Sequence, residues 1–249
     1  MGTAERKARE KLVRHQQILD AAYEVFNQVG FFAATMDQIA ERAEIAKGTI
    51  YIYFKSKEEV YFSLLLNGQD ILISMLTDMK KRPAPPDQVL EETAKTLFRF
   101  YREHTSYFRI FMVMQQEEMQ AKLSPELSRQ INDQATMILN LLSNQIQGAV
   151  DAGAFNSVSP WHVANILWGA FTGITQLAIT REQLRVGTMD IDDLLSLCFD
   201  MIQRGLSAKP QGPKTKAKGQ ASGIRDQGAD PPPAPQARAR KRASAKARS

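Results

Sequence analysis

Apolar residues recur at three- and four-residue steps through most of the first 207 positions, which is the period of one helix face. Ile18, Ala21, Ala22, Val25, Phe26 and Val29 form the first such stripe, and Gly30 stands where a glycine commonly follows a helix C-terminus. Thr35 opens a second helix. Gln38 lies three residues on, giving a capping box, and Met36, Ile39, Ala40 and Ala43 supply the apolar face. A break at Glu44-Ile45-Ala46 leads into a short helix over Lys47 to Phe54. Ser56 and Glu59 form a second capping box, starting a helix that runs to about Met79. Pro83, Pro85 and Pro86 interrupt the pattern. Further helices are predicted over 87–104 and 106–120, from Ser124-Pro125 to about Ala152, from Ser159-Pro160 to about Thr180, and from Asp190 to Leu206. Alternation never persists, so the expected fold class is all-α.

Composition changes at both ends. Residues 1–14 are mostly charged and lack an apolar stripe, and read as a flexible basic arm carrying Arg6, Lys7, Arg9, Lys11 and Arg14. From Ala208 onward the chain is Lys, Arg, Ala, Pro, Gly, Ser and Gln, with Ile224 its one large aliphatic residue. Such a segment buries too little apolar surface to offset ordering entropy, so 208–249 reads as a disordered basic tail. The net charge of +5 divides into +2 over 1–57, −6 over 58–207 and +9 over 208–249. Basic ends suit a polyanion and the acidic middle does not. The expected organisation is an arm (1–14), a three-helix head (15–60), a helical body (61–207) and a tail (208–249).

The chemistry on offer is sparse. Cys198 is the one cysteine, so no disulfide within the chain and no cysteine zinc site can form. His15, His104 and His162 are far apart, no nucleophile is paired with a base, and no metal or cofactor is expected. No uninterrupted apolar run reaches 18 residues, and the N-terminus is not a signal peptide. These readings point to a cytoplasmic protein that is neither an enzyme nor membrane-bound.

Three short helices with a tight turn between the last two read as a helix-turn-helix module for double-stranded DNA. A recognition helix must be small at its N-terminus to approach base edges, and Ala46, Lys47, Gly48 and Thr49 meet that need. Lys47 can reach a guanine or a phosphate, and Thr49 offers a hydroxyl and a methyl. Tyr51 and Tyr53 place phenols within reach of phosphate oxygens. Thr35 and Lys57 stand at helix starts, where backbone N–H groups favour a phosphate. Ile50 and Phe54 look inward.

The run from Thr35 to Ala43, followed by Lys47-Gly48-Thr49-Ile50-Tyr51-Ile52-Tyr53-Phe54-Lys55-Ser56-Lys57, resembles the DNA-binding segment of the TetR family of transcriptional regulators. The resemblance covers about residues 15–60. It implies backbone contacts for Thr35, Tyr53 and Lys57. The family usually has Gly at the turn where Glu44 stands, and a left-handed backbone there is costlier for Glu.

The resemblance further implies an effector pocket and a dimer interface in the body. Phe108, Phe111, Met112 and Met114 with Met137 supply soft apolar density for a hydrophobic small-molecule effector. Trp168, Gly169 and Gly173 on one helix and Leu195 and Ile202 on the last are expected at a four-helix homodimer interface. Similarity to the fatty-acid-degradation regulators of the family points to a long-chain acyl-CoA. The expected function is a ligand-responsive homodimeric repressor released from a palindromic operator. An architectural, nucleoid-type DNA binder using the basic tail is the alternative.

Overall fold

Helix borders follow the capping chemistry of the sequence. The Thr35 hydroxyl accepts from Gln38 N–H at 3.2 Å while the Gln38 amide oxygen accepts from Thr35 N–H at 2.9 Å, so the first capping box forms as expected. At the second, Ser56 Oγ accepts from Glu59 N–H at 3.2 Å, but the Glu59 carboxylate takes the N–H of Lys55 at 2.6 Å. Ser124 and Asp190 cap two later helices.

The computed structural model describes residues 2–81, 84–184 and 190–207. Among them are ten α-helices: α1 (Thr3–Ala33), α2 (Met36–Arg42), α3 (Lys47–Tyr53), α4 (Lys57–Lys81), α5 (Val89–Glu103), α6 (Thr105–Met114), α7 (Glu117–Gln120), α8 (Pro125–Asp151), α9 (Pro160–Leu184) and α10 (Ile191–Leu206). The only extended pairing among the described residues is an isolated bridge between Phe155 and Ser207. The tail, residues 208–249, lies outside the described residues.

The N-terminal arm departs from expectation. It is helical from Thr3 and continuous with the rest of α1. Ala, Glu, Lys and Arg are strong helix formers, and Arg6 pairs with Glu10 one turn on at 3.4 Å. Gly30 interrupts α1 at φ +78°, and one further turn then carries Phe31 into the core. Glu44 adopts φ +54°, so the turn keeps its left-handed geometry without a glycine.

Two apolar cores stack along α4. The first gathers Ile18, Ala22, Phe26, Ile39, Ile50 and Phe54 around Val60, Tyr61, Leu64 and Leu65 of α4. Ile110, Met114, Met119 and Ile131 complete it, although they come from α6, α7 and α8. The second core joins Leu72 and Leu76 of α4 to α5, α8, α9 and α10. The head–body boundary expected at residue 60 therefore falls inside a helix that serves both cores, and the described residues form one compact unit. By length and mean hydropathy alone, α4 and α9 could each cross a membrane. In this fold α4 is a central packing helix with eight buried residues, from Val60 to Leu76.

Candidate functional site

The recognition helix is held by its own inward face. Ile50 is fully buried and Phe54 nearly so, and the Phe54 ring stacks on His15 of α1 at 4.6 Å. Gln17 of α1 donates to the carbonyl of Ala43 at 2.8 Å, tying the turn before α3 to the first helix. These contacts leave Lys47, Gly48, Tyr51 and Ile52 exposed on α3, with Thr49 and Tyr53 half-buried beside them. A Cβ on Gly48 would meet nothing, so that position is open to close approach by a ligand. Thr35 is exposed at the start of α2.

Lys47 makes an ion pair with Asp37 of α2, which raises its pKa above the ordinary lysine value. The carboxylate holds the exposed ammonium beside the start of α3. Lys57 is placed differently from expectation. Its ammonium donates to the carbonyls of Phe31 (2.8 Å), Phe32 (3.3 Å) and Ala34 (2.8 Å) and lies 4.6 Å from the Phe31 ring centroid. Carbonyls at the end of α1 have no helical partners, and a cation there satisfies them. The side chain thus locks α4 to α1 in this structure.

Sequence reasoning passed over Ile52, which is 73% exposed. The signal was present, because position 52 lies about 200° around the helix from inward Ile50 at 3.6 residues per turn. An apolar side chain on that face suits a thymine methyl or a sugar.

The five residues expected to form the effector pocket are not brought together. Phe108 and Phe111 line an apolar cavity of about 70 Å³ between α4, α5, α6, α8 and α9, with Leu65, Leu72, Ile138 and Trp168. Met112, one turn on from Phe108, instead lines an open cleft of about 640 Å³ where Phe31, Phe32, Arg109 and Thr180 also lie. Met114 is buried in the first core. Met137 is 47% exposed on α8. Successive residues on a helix turn by about 100°, so Phe111, Met112 and Met114 diverge, and Met112 falls at the edge of the Phe108 face, next to the cleft. Gln69 of α4, unremarked in the sequence, also lines the apolar cavity.

The interface set divides as well. Gly169 and Gly173 are exposed on α9, Trp168 is half-buried, and Ile202 packs partly against the second core. Leu195 is fully buried in its own chain's core and cannot meet a partner. The outward positions of α10 are Leu197 and Met201, 56% and 65% exposed, and those of α9 include Ile166 and Leu177. Cys198 is half-buried, and burial raises its thiol pKa.

A family model described as "Bacterial regulatory proteins, tetR family" matches residues 18–64, the segment from α1 to the first turns of α4. The fatty acid metabolism regulator protein of Bacillus subtilis is 30% identical over 146 residues, covering 58% of this chain and 72% of that one. The chain belongs to the TetR family. It is a helix-turn-helix transcriptional regulator. The HTH-type transcriptional regulator RutR of Escherichia coli K12 is 25% identical over 202 residues, 81% of this chain and 92% of that one. Among solved structures, the transcriptional regulator FadR from Bacillus subtilis in complex with stearoyl-CoA shares the fold. Its TM-score is 0.63 at 22% identity, over 77% of this chain and 98% of that one. None of these TetR-family neighbours is an architectural DNA-binding protein, and nothing supports that alternative.

Proposed function

We propose that this regulator acts as a cytoplasmic homodimeric repressor that leaves a near-palindromic operator when a long-chain acyl-CoA enters the body. The observation that carries the effector half is the small apolar pocket at Phe108 and Phe111, open on one side and lined by the helices that meet α4. The α4 helix continues from that cavity directly into the core beneath α3, so widening the cavity acts on the element that orients the recognition helix. A ligand can shift binding only by preferring the released state. The bound stearoyl-CoA of the Bacillus subtilis structure and the name of the 30% identical relative support an acyl-CoA over other apolar molecules.

On DNA, Lys47, Gly48 and Thr49 read bases and Thr35, Tyr51 and Tyr53 meet phosphates. The partner copy packs on the exposed apolar face formed by Ile166, Gly169, Gly173 and Leu177 of α9 with Leu197 and Met201 of α10. Residues 15–60 serve as the reading head and 61–207 as the sensing and pairing body, with α4 shared between them.

The test is operator binding by the full-length dimer, followed by fluorescence anisotropy with and without hexadecanoyl-CoA. The acyl-CoA is expected to release the operator, and free CoA is not. Lys47→Ala and Thr49→Ala should each narrow the gap between operator and scrambled duplex by about 1–3 kcal/mol. An operator complex indifferent to acyl-CoA at every chain length would overturn the effector assignment.

A further inference from the structure

The cations at the start of α1 are not spread evenly around the helix. Lys7, Lys11 and Arg14 precede Ile18 by eleven, seven and four residues. At about 100° per residue, all three lie within about 40° of the direction in which Ile18 enters the core. Glu5 and Glu10 lie roughly 140° and 80° away from it, and Arg6 and Arg9 roughly 120° and 180°. The face that packs as Ile18, Ala22 and Val25 is thus continued toward the N-terminus by three cations, with no carboxylate among them.

Protein covers that face only as far as the head reaches. His15 stacks on Phe54 at the end of α3, and Gln17 donates to the Ala43 carbonyl before it, so α1 leaves the head beside the recognition helix. Lys7 and Lys11 lie beyond these contacts and are exposed. Arg14 is half-buried, with its guanidinium donating to the Gln17 side chain at 2.9 Å. Arg6, on another face, pairs with Glu10. The helix is continuous from Thr3, so the row of cations has a fixed bearing on α3. From Thr3 to Arg14 it runs about 18 Å, roughly half a turn of a DNA duplex.

We propose that Lys7 and Lys11, with Arg14 behind them, lie along the DNA phosphates flanking the bases that α3 reads, and that α1 holds them there as a rigid strut. The row is purely cationic, so its occupant is a polyanion, and it adjoins the surface that binds DNA. Such contacts add affinity and fix orientation without reading sequence. A preformed helix keeps its cations in place, whereas a flexible arm loses conformational entropy when it is ordered on binding. This goes beyond the effector and dimer readings above and uses the dimer only to count contacts.

The test uses the full-length protein without effector and an operator duplex that the protein selects from a random-sequence pool. The readout is the slope of log K against log salt. Lys7→Ala with Lys11→Ala removes two contacts from each subunit of a dimer, so the slope should become shallower by about 3.6. The hydroxyl-radical footprint should lose protection next to each α3 site. Arg6→Ala with Arg9→Ala removes the same charge from the other faces and should change the slope by less than about one unit. Two alanines inserted between Leu12 and Val13 keep every cation but turn Lys7 and Lys11 by about 200°, and should weaken the slope as the lysine pair does. An unchanged slope in the lysine variant overturns the assignment. Equal changes in the two charge-matched variants also overturn it, since charge alone would then suffice. An insertion without effect overturns the rigid strut. Each of these results leaves the effector reading intact.

Discussion

Lys57 stands at the start of α4, as the sequence indicates, but its ammonium is engaged by three carbonyls at the end of α1. Removing it strands those carbonyls, so Lys57→Ala is expected to destabilise the fold by about 1–3 kcal/mol. Urea denaturation decides this; an unchanged midpoint would show that the three contacts contribute nothing. His15 makes a second case. Burial against Phe54 lowers its pKa below the unfolded value of 6.5. The neutral form is favoured in the fold, so its contribution is intact above pH 6.5 and is lost as pH falls through the folded pKa. His15→Phe should therefore lose less thermal stability than the parent between pH 7.5 and pH 5.5, and equal losses would remove His15 from the account. The positions of both residues were legible in the sequence, Lys57 by its helix start and His15 by its place before the first stripe. The direction of the ammonium was not, because it depends on where a chain end more than twenty residues away comes to rest.

At the level of elements, caps and apolar stripes carried most of the information. Thr35, Ser124 and Asp190 begin their helices where the pattern places them. The arm escaped notice because a helix that packs on nothing has no stripe to show. The Phe and Met run was misjudged for a related reason: its stripe identifies a packed helix, but α6 is covered on two sides and divides its residues between a core, a cavity and a cleft. Gly68 records a contact invisible in sequence. It lets α4 approach the Tyr107 ring of α6, and Gly68→Ala would place a methyl 2.8 Å from that ring. Such overpacking typically costs about 1–3 kcal/mol. Guanidinium unfolding of the variant is expected to show a loss in that range, and a gain would mean that α4 and α6 separate freely.

For the whole molecule, the proposed dimer rests on the exposed apolar face of α9 and α10. Leu177→Glu combined with Leu197→Glu should convert the dimer to monomer in sedimentation velocity and weaken operator binding, since two half-sites are then no longer held together. Leu195→Ala should instead lower stability by about 2–5 kcal/mol with no change in subunit number, because that side chain lies inside its own subunit. A dimer that survives both glutamates would place the contact elsewhere. The α4 helix, threaded through both cores, also bears on how such regulators can be recombined. Ile110, Met114, Met119 and Ile131 close the core beneath the recognition helix although they lie some fifty residues or more beyond it in sequence. A chimera cut at residue 60 would exchange an operator preference only by opening that core, so the workable crossover lies not between the helices but along a seam that keeps these four side chains with the DNA-reading end.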